Sequence, residues 1–237
     1  MPADLSDARR WTRDGTTLFL AAADLGEAAL GAPSALPGWT RRQLLAHVAA
    51  NAGALGNLVH WAATGEPTPM YSSPAGRAAG IERGAQLPGA ELGGWLRRAA
   101  RGLDEAMAAL SDQQWQAPVL TAQGRTVPAT QVPWLRAREV YVHAVDLATG
   151  LSFAELPAGF CTALCDDVIA KRRGAPGPAL VLEAADTGGR WELPGQGEGR
   201  TVTLPGPLAE ITAYLTGRPH KLTTAGGDPA PALGPWL

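Results

Sequence analysis

Glu139 and His143 stand four residues apart in the stretch Arg136–Gly150, RAREVYVHAVDLATG. On a helix that spacing sends both side chains out of one face, one above the other. A carboxylate and an imidazole stacked in this way make half of a metal site. The other half has to come from elsewhere, and His47, in the amphipathic run TRRQLLAHVAANAGALGNLVHWAATG, is best placed to supply it. Two His and one carboxylate suit Zn²⁺ or another divalent transition metal. Three protein ligands leave coordination positions open, which describes a catalytic site better than a structural one. Asp146, within a turn of His143, is placed to orient a ligand from behind.

Bland alternatives exist for each residue. A lone histidine on an apolar helix face is more often a satisfied core residue than a ligand. Glu139 could pair with Arg136 or Arg138 instead of a cation. A buried carboxylate is costly without some such partner, so the Glu139–His143 pair raises the case for metal above what His47 carries alone. His60 and His220 are weaker candidates, with His60 expected at the surface.

The elements that must hold these groups read as helices. Residues 4 to about 30 form the first, with an apolar stripe through Trp11, Leu18, Phe19, Ala22 and Leu25. Thr40 with Gln43 has capping-box spacing and opens a second helix to about Ala63. Its broad apolar face includes His47 and Asn51, polar groups that need partners or a task in a core. Thr64 to Gly89, rich in Pro and Gly, reads as a long connection in which Pro69, Met70 and Tyr71 could wall a cavity. A third helix spans about 90 to 110. A hairpin-like stretch centred on Gln123-Gly124-Arg125 follows, then a fourth helix from about 130 to 149 that ends at Gly150.

This spacing predicts a four-helix bundle over residues 1–150. After Gly150 the texture changes: a helix over about 158–172, a strand ALVLEA, a hairpin-like GGRWELPG, a strand RTVTLP, a helix over about 207–216, and LTTAGG as a possible last strand. That order predicts a small α+β domain over residues 151–237.

The chain has 237 residues and a formal net charge of −2, so it lacks the electrostatic footprint of a nucleic-acid or anionic-membrane binder. No run approaches the length of a membrane span and the start does not resemble a signal peptide, so a cytoplasmic protein is expected. Cys161 and Cys165 are the only cysteines. One possible pair is no disulfide scaffold, and both are expected as small buried hydrophobes. Thiol chemistry here would need its sulfur from a cofactor. The oligomeric state is not legible; nothing contradicts a monomer.

The segments LPGWTRRQLLAHVAANAGALGNLVHWAATGEPTPMY and LTAQGRTVPATQVPWLRAREVYVHAVDL resemble the mycothiol-dependent maleylpyruvate isomerases of actinobacteria. The resemblance is strongest from Leu36 to Leu147. It implies a DinB-like metal-binding bundle joined to a smaller α/β domain resembling sterol carrier proteins, with His47, Glu139 and His143 as zinc ligands. It also implies that Arg218, in YLTGRPH, is needed for activity, and the chemistry of the reaction gives it the expected role of binding a substrate carboxylate. Arg125 is a candidate for another anionic group, on the cofactor. The implied reaction converts maleylpyruvate to fumarylpyruvate in gentisate breakdown, with mycothiol as thiol.

Rotation about a C=C bond is too slow until the double bond is lost. Thiolate addition leaves a single bond and an enolate, the bond rotates, and elimination gives the trans product. A free thiol has a pKa of about 8.5, so a metal that favours the thiolate makes the step feasible at neutral pH. Two other readings compete: a mycothiol S-transferase acting on a different electrophile, and a non-catalytic binding protein that uses metal for stability.

Overall fold

In the computed structural model, the Asp4 carboxylate accepts from the Ser6 N–H and opens helix α1, Leu5–Ala22. The structure describes residues 4–195, 200–234 and Trp236. They divide into two compact units, one spanning Asp4–Gly150 and the other running from Leu151 onward.

In the first unit, α1 stops at Ala22 rather than near Leu30, because Gly26 is extended and starts a separate short helix α2, Glu27–Leu30. Helix α3, Arg41–Thr64, opens on the expected capping box: Thr40 N–H donates to Gln43 Oε1 at 2.9 Å. It ends at Gly65, whose φ of 78° is left-handed.

The stretch read as a connection contains a helix, α4, Pro74–Ala85, capped by the Ser73 hydroxyl and started by Pro74. Three glycines disguise it, since Gly disfavours helix interiors. One of them is required by packing. A Cβ at Gly84 would lie 2.5 Å from the Trp95 ring and 3.0 Å from Ala46.

Helix α5, Gly89–Ala108, buries Leu92, Leu96, Leu103 and Met107 in step. After the single-turn helix α6, Asp112–Trp115, strands β1 (Pro118–Leu120) and β2 (Thr126–Pro128) pair antiparallel around a turn at Gly124. Helix α7, Val132–Asp146, completes the unit. Helices α1, α7, α3 and α5 close a four-helix ring in that order of contact. The α1–α7 approach is close: a Cβ at Gly15 would sit 2.7 Å from Val140 Cγ2.

Helix α7 ends at Asp146, three residues short of the expected Thr149. Its terminal carbonyls are taken by other partners. Ala35 N–H donates to Asp146 O at 2.8 Å, Arg41 Nε to Leu147 O at 2.7 Å, and Arg41 Nη2 to Ala148 O at 2.8 Å. The chain then turns through Ala148 at φ 53° and Gly150 at φ 103°.

The second unit holds α8 (Ala158–Arg172), β3 (Leu180–Ala184), β4 (Arg190–Leu193), β5 (Val202–Gly206) and α9 (Leu208–Leu215). The sheet order is β4-β3-β5, antiparallel then parallel, with Leu182 between Trp191 and Leu204. Alternation along β3 buries Leu180, Leu182 and Ala184, the period-2 pattern of a sheet with one covered face. Trp191 Nε1–H donates to Asp166 at 2.7 Å and ties β4 to α8.

LTTAGG is a turn, not a strand: Thr224 N–H donates to Asp228 O, and only an isolated bridge joins Thr223 to Pro229. Cys161 and Cys165 are free and buried, and burial pushes their thiols up to about 11 and about 12. No helix among the described residues is long and apolar enough to cross a membrane.

Candidate metal centre

Packing of α3 against α7 brings His47 to Glu139 and His143. One ligand atom from each lies within 4.8 Å of the others. Glu139 Oε2 is 3.0 Å from His47 Nε2 and 3.4 Å from His143 Nε2, and the two imidazole planes cross at 81°. Close as these atoms are, the buried Oε2 makes no well-directed hydrogen bond to either ring. Lone pairs that converge on one point without bonding one another fit a shared cation. The donor set, two imidazoles and a carboxylate, is that of an open divalent-metal site.

Each ring is steered from behind. His143 Nδ1 is 2.8 Å from Asp146 Oδ2, and Asp146 is fully buried, so Nε2 is turned towards Glu139. Trp39 meets His47 edge-on at 5.7 Å. Burial pushes the His47 imidazole below its ordinary value despite Glu139. Burial alone would raise Glu139, but the two imidazoles beside it outweigh that and hold it well below the usual carboxylate range. Burial also opposes protonation of His143, yet Asp146 and Glu139 prevail and raise it to about 9.

His47 and Glu139 open onto a cavity of about 100 Å³ walled by Met70 and Tyr71, with Arg77, Arg138 and Gln123 around it. Met70 and Tyr71 therefore occupy the wall expected of them, whereas Pro69 does not line the cavity. Arg77 was not legible, because it rides on α4. Its Nη2 lies 3.3 Å from His47 Nδ1, and its guanidinium lies over the Tyr71 ring. Asn51, buried on the core side, accepts from Arg136 Nη1 at 2.9 Å, and the same nitrogen donates to Val48 O. Arg136 thus binds Asn51 and backbone rather than Glu139. Burial lowers Arg136 to about 10, which leaves it charged at neutral pH.

Among the other sequence candidates, Arg125 and His60 of the helical unit do not join this cluster. Arg125 is exposed in the β1–β2 turn; Thr121, Ala122 and Gln123 line the cavity and Arg125 does not. Arg218 belongs to the second unit, at the end of α9. There Arg218 N–H bonds to Ala213 O and Gly217 N–H to Tyr214 O in a Schellman arrangement. Its Nη1 donates to Thr216 O. His60 is exposed 4.0 Å from Glu66, and His220 is exposed beside Tyr214.

The family model described as the mycothiol maleylpyruvate isomerase N-terminal domain matches residues 10–148. Two solved structures are similar over the whole chain: a mycothiol-dependent maleylpyruvate isomerase and a histidine-to-alanine mutant of that enzyme. Each is 37% identical, covers 99% of this chain and 98% of its own, and has a TM-score of 0.92. No curated protein sequence matches. A match over more than half of the chain, joined to end-to-end likeness at that identity, places this protein in the mycothiol maleylpyruvate isomerase family.

Proposed function

We propose that the chain is a mycothiol-dependent isomerase that converts maleylpyruvate to fumarylpyruvate, working at a zinc or similar divalent ion held by His47, Glu139 and His143. The observation that carries the reading is the convergent donor triad, two of whose members, His47 and Glu139, open onto a cavity lined by Arg77 and Arg138. A divalent ion there favours the anionic form of a thiol or an adjacent oxygen at neutral pH. Mycothiol supplies the sulfur, since the chain's own thiols are buried and held in the neutral form.

The chain's residues supply anion binding and orientation. Maleylpyruvate carries two carboxylates, and Arg77 and Arg138, which both line the cavity, bring the guanidinia suited to bind them. Arg77 has only donors, so it bonds His47 Nδ1 only while the ring proton is on Nε2. With that proton on Nδ1, the guanidinium is released to the cavity. Burial raises the Tyr71 phenol, which keeps it a donor for oxygen that gains charge during the reaction. Arg218 is proposed for a substrate carboxylate and Arg125 for an anionic group of the cofactor, on the resemblance of their segments to the family. A cytoplasmic location is proposed with these roles, supported by two free thiols.

The test is ultraviolet-monitored conversion of maleylpyruvate by purified protein with and without mycothiol. Turnover that requires mycothiol is the expected result. A metal-loaded protein that leaves maleylpyruvate unchanged in its presence would overturn the reading.

A further inference from the structure

The helical unit holds a second and larger cavity, about 310 Å³, lined from α1 and α5 with Arg136 of α7 reaching it. Its walls carry Arg13 from α1 and Arg97 and Arg101, one turn apart, from α5. These three arginines are exposed, and none has a carboxylate at ion-pair distance among the described residues. The one acid among the described lining residues is Asp104, set against four guanidinia.

Arg136 makes this more than a basic surface. It is 1% exposed, and the only acceptors on it among the described residues, Val48 O and Asn51 Oδ1, both serve Nη1. Nε and Nη2 therefore bond no acceptor among the described residues. A buried guanidinium without a carboxylate against it is costly, and its unused donors ask for an acceptor-rich group. The Thr16 hydroxyl, also in the lining, makes no bond to the described residues and adds a donor. Thr12 and Thr17 cannot serve in that way, because their hydroxyls already donate to Pro133 O and Arg13 O.

We propose that the α1–α5 cavity is a binding site for a small organic polyanion, with one oxyanionic group seated on Arg136 and a second held by Arg97 and Arg101. The lining discriminates by charge and acceptor content: planar guanidinia from three helices suit carboxylate and phosphate oxygens alike. The volume is in the range of small-molecule sites. The site is separate from the metal-side cavity, with which it shares no lining residue.

The test is isothermal titration of the full-length, metal-loaded protein at low ionic strength, with inorganic phosphate in one arm and malonate in the other. Saturable binding of at least one probe is expected. It should weaken at least tenfold in the Arg97→Ala/Arg101→Ala double variant, whose exposed positions leave the fold intact, and persist in His47→Ala. Preference for phosphate identifies the ligand class as a phosphate ester, and preference for malonate as a dicarboxylate. Absence of saturable binding in both arms overturns the site. So does binding that survives the double variant, or binding lost in His47→Ala, which would put the anion at the metal.

Discussion

The two units of the chain spend their buried polar groups differently. In the helical unit several of the bonds span the sequence, although Asp146 meets His143 only three residues away. Thr12 donates to Pro133 O, Arg136 to Val48 O and Asn51, and His47 meets Glu139. In the α+β unit two of the three among the described residues stay local, Thr212 donating to Leu208 O and Thr216 to Thr212 O, one helical turn back, while Arg172 reaches Gly234 O. Local bonds of that kind satisfy a hydroxyl inside a helix and ask nothing of the rest of the fold. Long-range ones fix helices against each other and aim side chains at a common point, which is what a site needs. The chemistry proposed here therefore concentrates in the first unit, with Arg218 as the second unit's contribution.

The sharpest way to break this contrast is His47→Ala. Bound metal measured by atomic emission should fall and mycothiol-dependent turnover should drop to background; full metal occupancy in the variant would remove His47 from the ligand set. Asp146→Asn comes next. It leaves every proposed ligand in place but weakens the hold on the His143 ring, so zinc affinity measured by chelator competition should fall about 10- to 100-fold. Unaltered affinity would mean that Asp146 serves the fold alone.

Arg77→Ala and Arg218→Ala test whether anion binding is divided between the units. Both should keep their metal. Arg77→Ala should raise KM, and Arg218→Ala should cut turnover; kinetics identical to the parent for Arg218→Ala would leave the second unit without a part in the reaction.

The smallest effect is expected from Cys161→Ser/Cys165→Ser, with thiol-dependent activity retained. In the native protein at pH 8 both thiols should resist alkylation, because burial holds them at about 11 and about 12. The sign for stability follows from the same shifts. The thiols ionise from about 9 in the unfolded chain but not until about 11 or 12 in the folded one, so their contribution is intact below pH 9 and is lost as pH climbs towards 12. Denaturant titrations between pH 8 and 11 check this.

Much of the helical unit could be read before folding, because helical periodicity places His47 and Asn51 on one face and Glu139 and His143 on another. Thr40 and Gln43 announced the start of α3 in the same way. What stayed hidden was set by tertiary partners. Gly76, Gly80 and Gly84 made α4 read as a connection, and Arg77 vanished with it; only the Trp95 ring packed over Gly84 explains why a residue without a side chain belongs there. The end of α7 was misplaced because Arg41, remote in sequence, captures carbonyls that local rules assign to a glycine stop. In the second unit the alternation of β3 was plain, whereas LTTAGG carried strand-like residues with no neighbouring strand to pair them.

That same arginine has a mechanical consequence. It sits six residues before His47, and two of its three carbonyl targets lie four and five residues beyond His143, so it rivets the helices that carry the proposed ligands close to where they meet. A cage assembled by the polypeptide itself does not wait for an ion to shape it. Stripping the metal should then silence the enzyme without melting it, and the empty scaffold should accept replacement ions and recover, unlike small zinc modules that collapse once chelated.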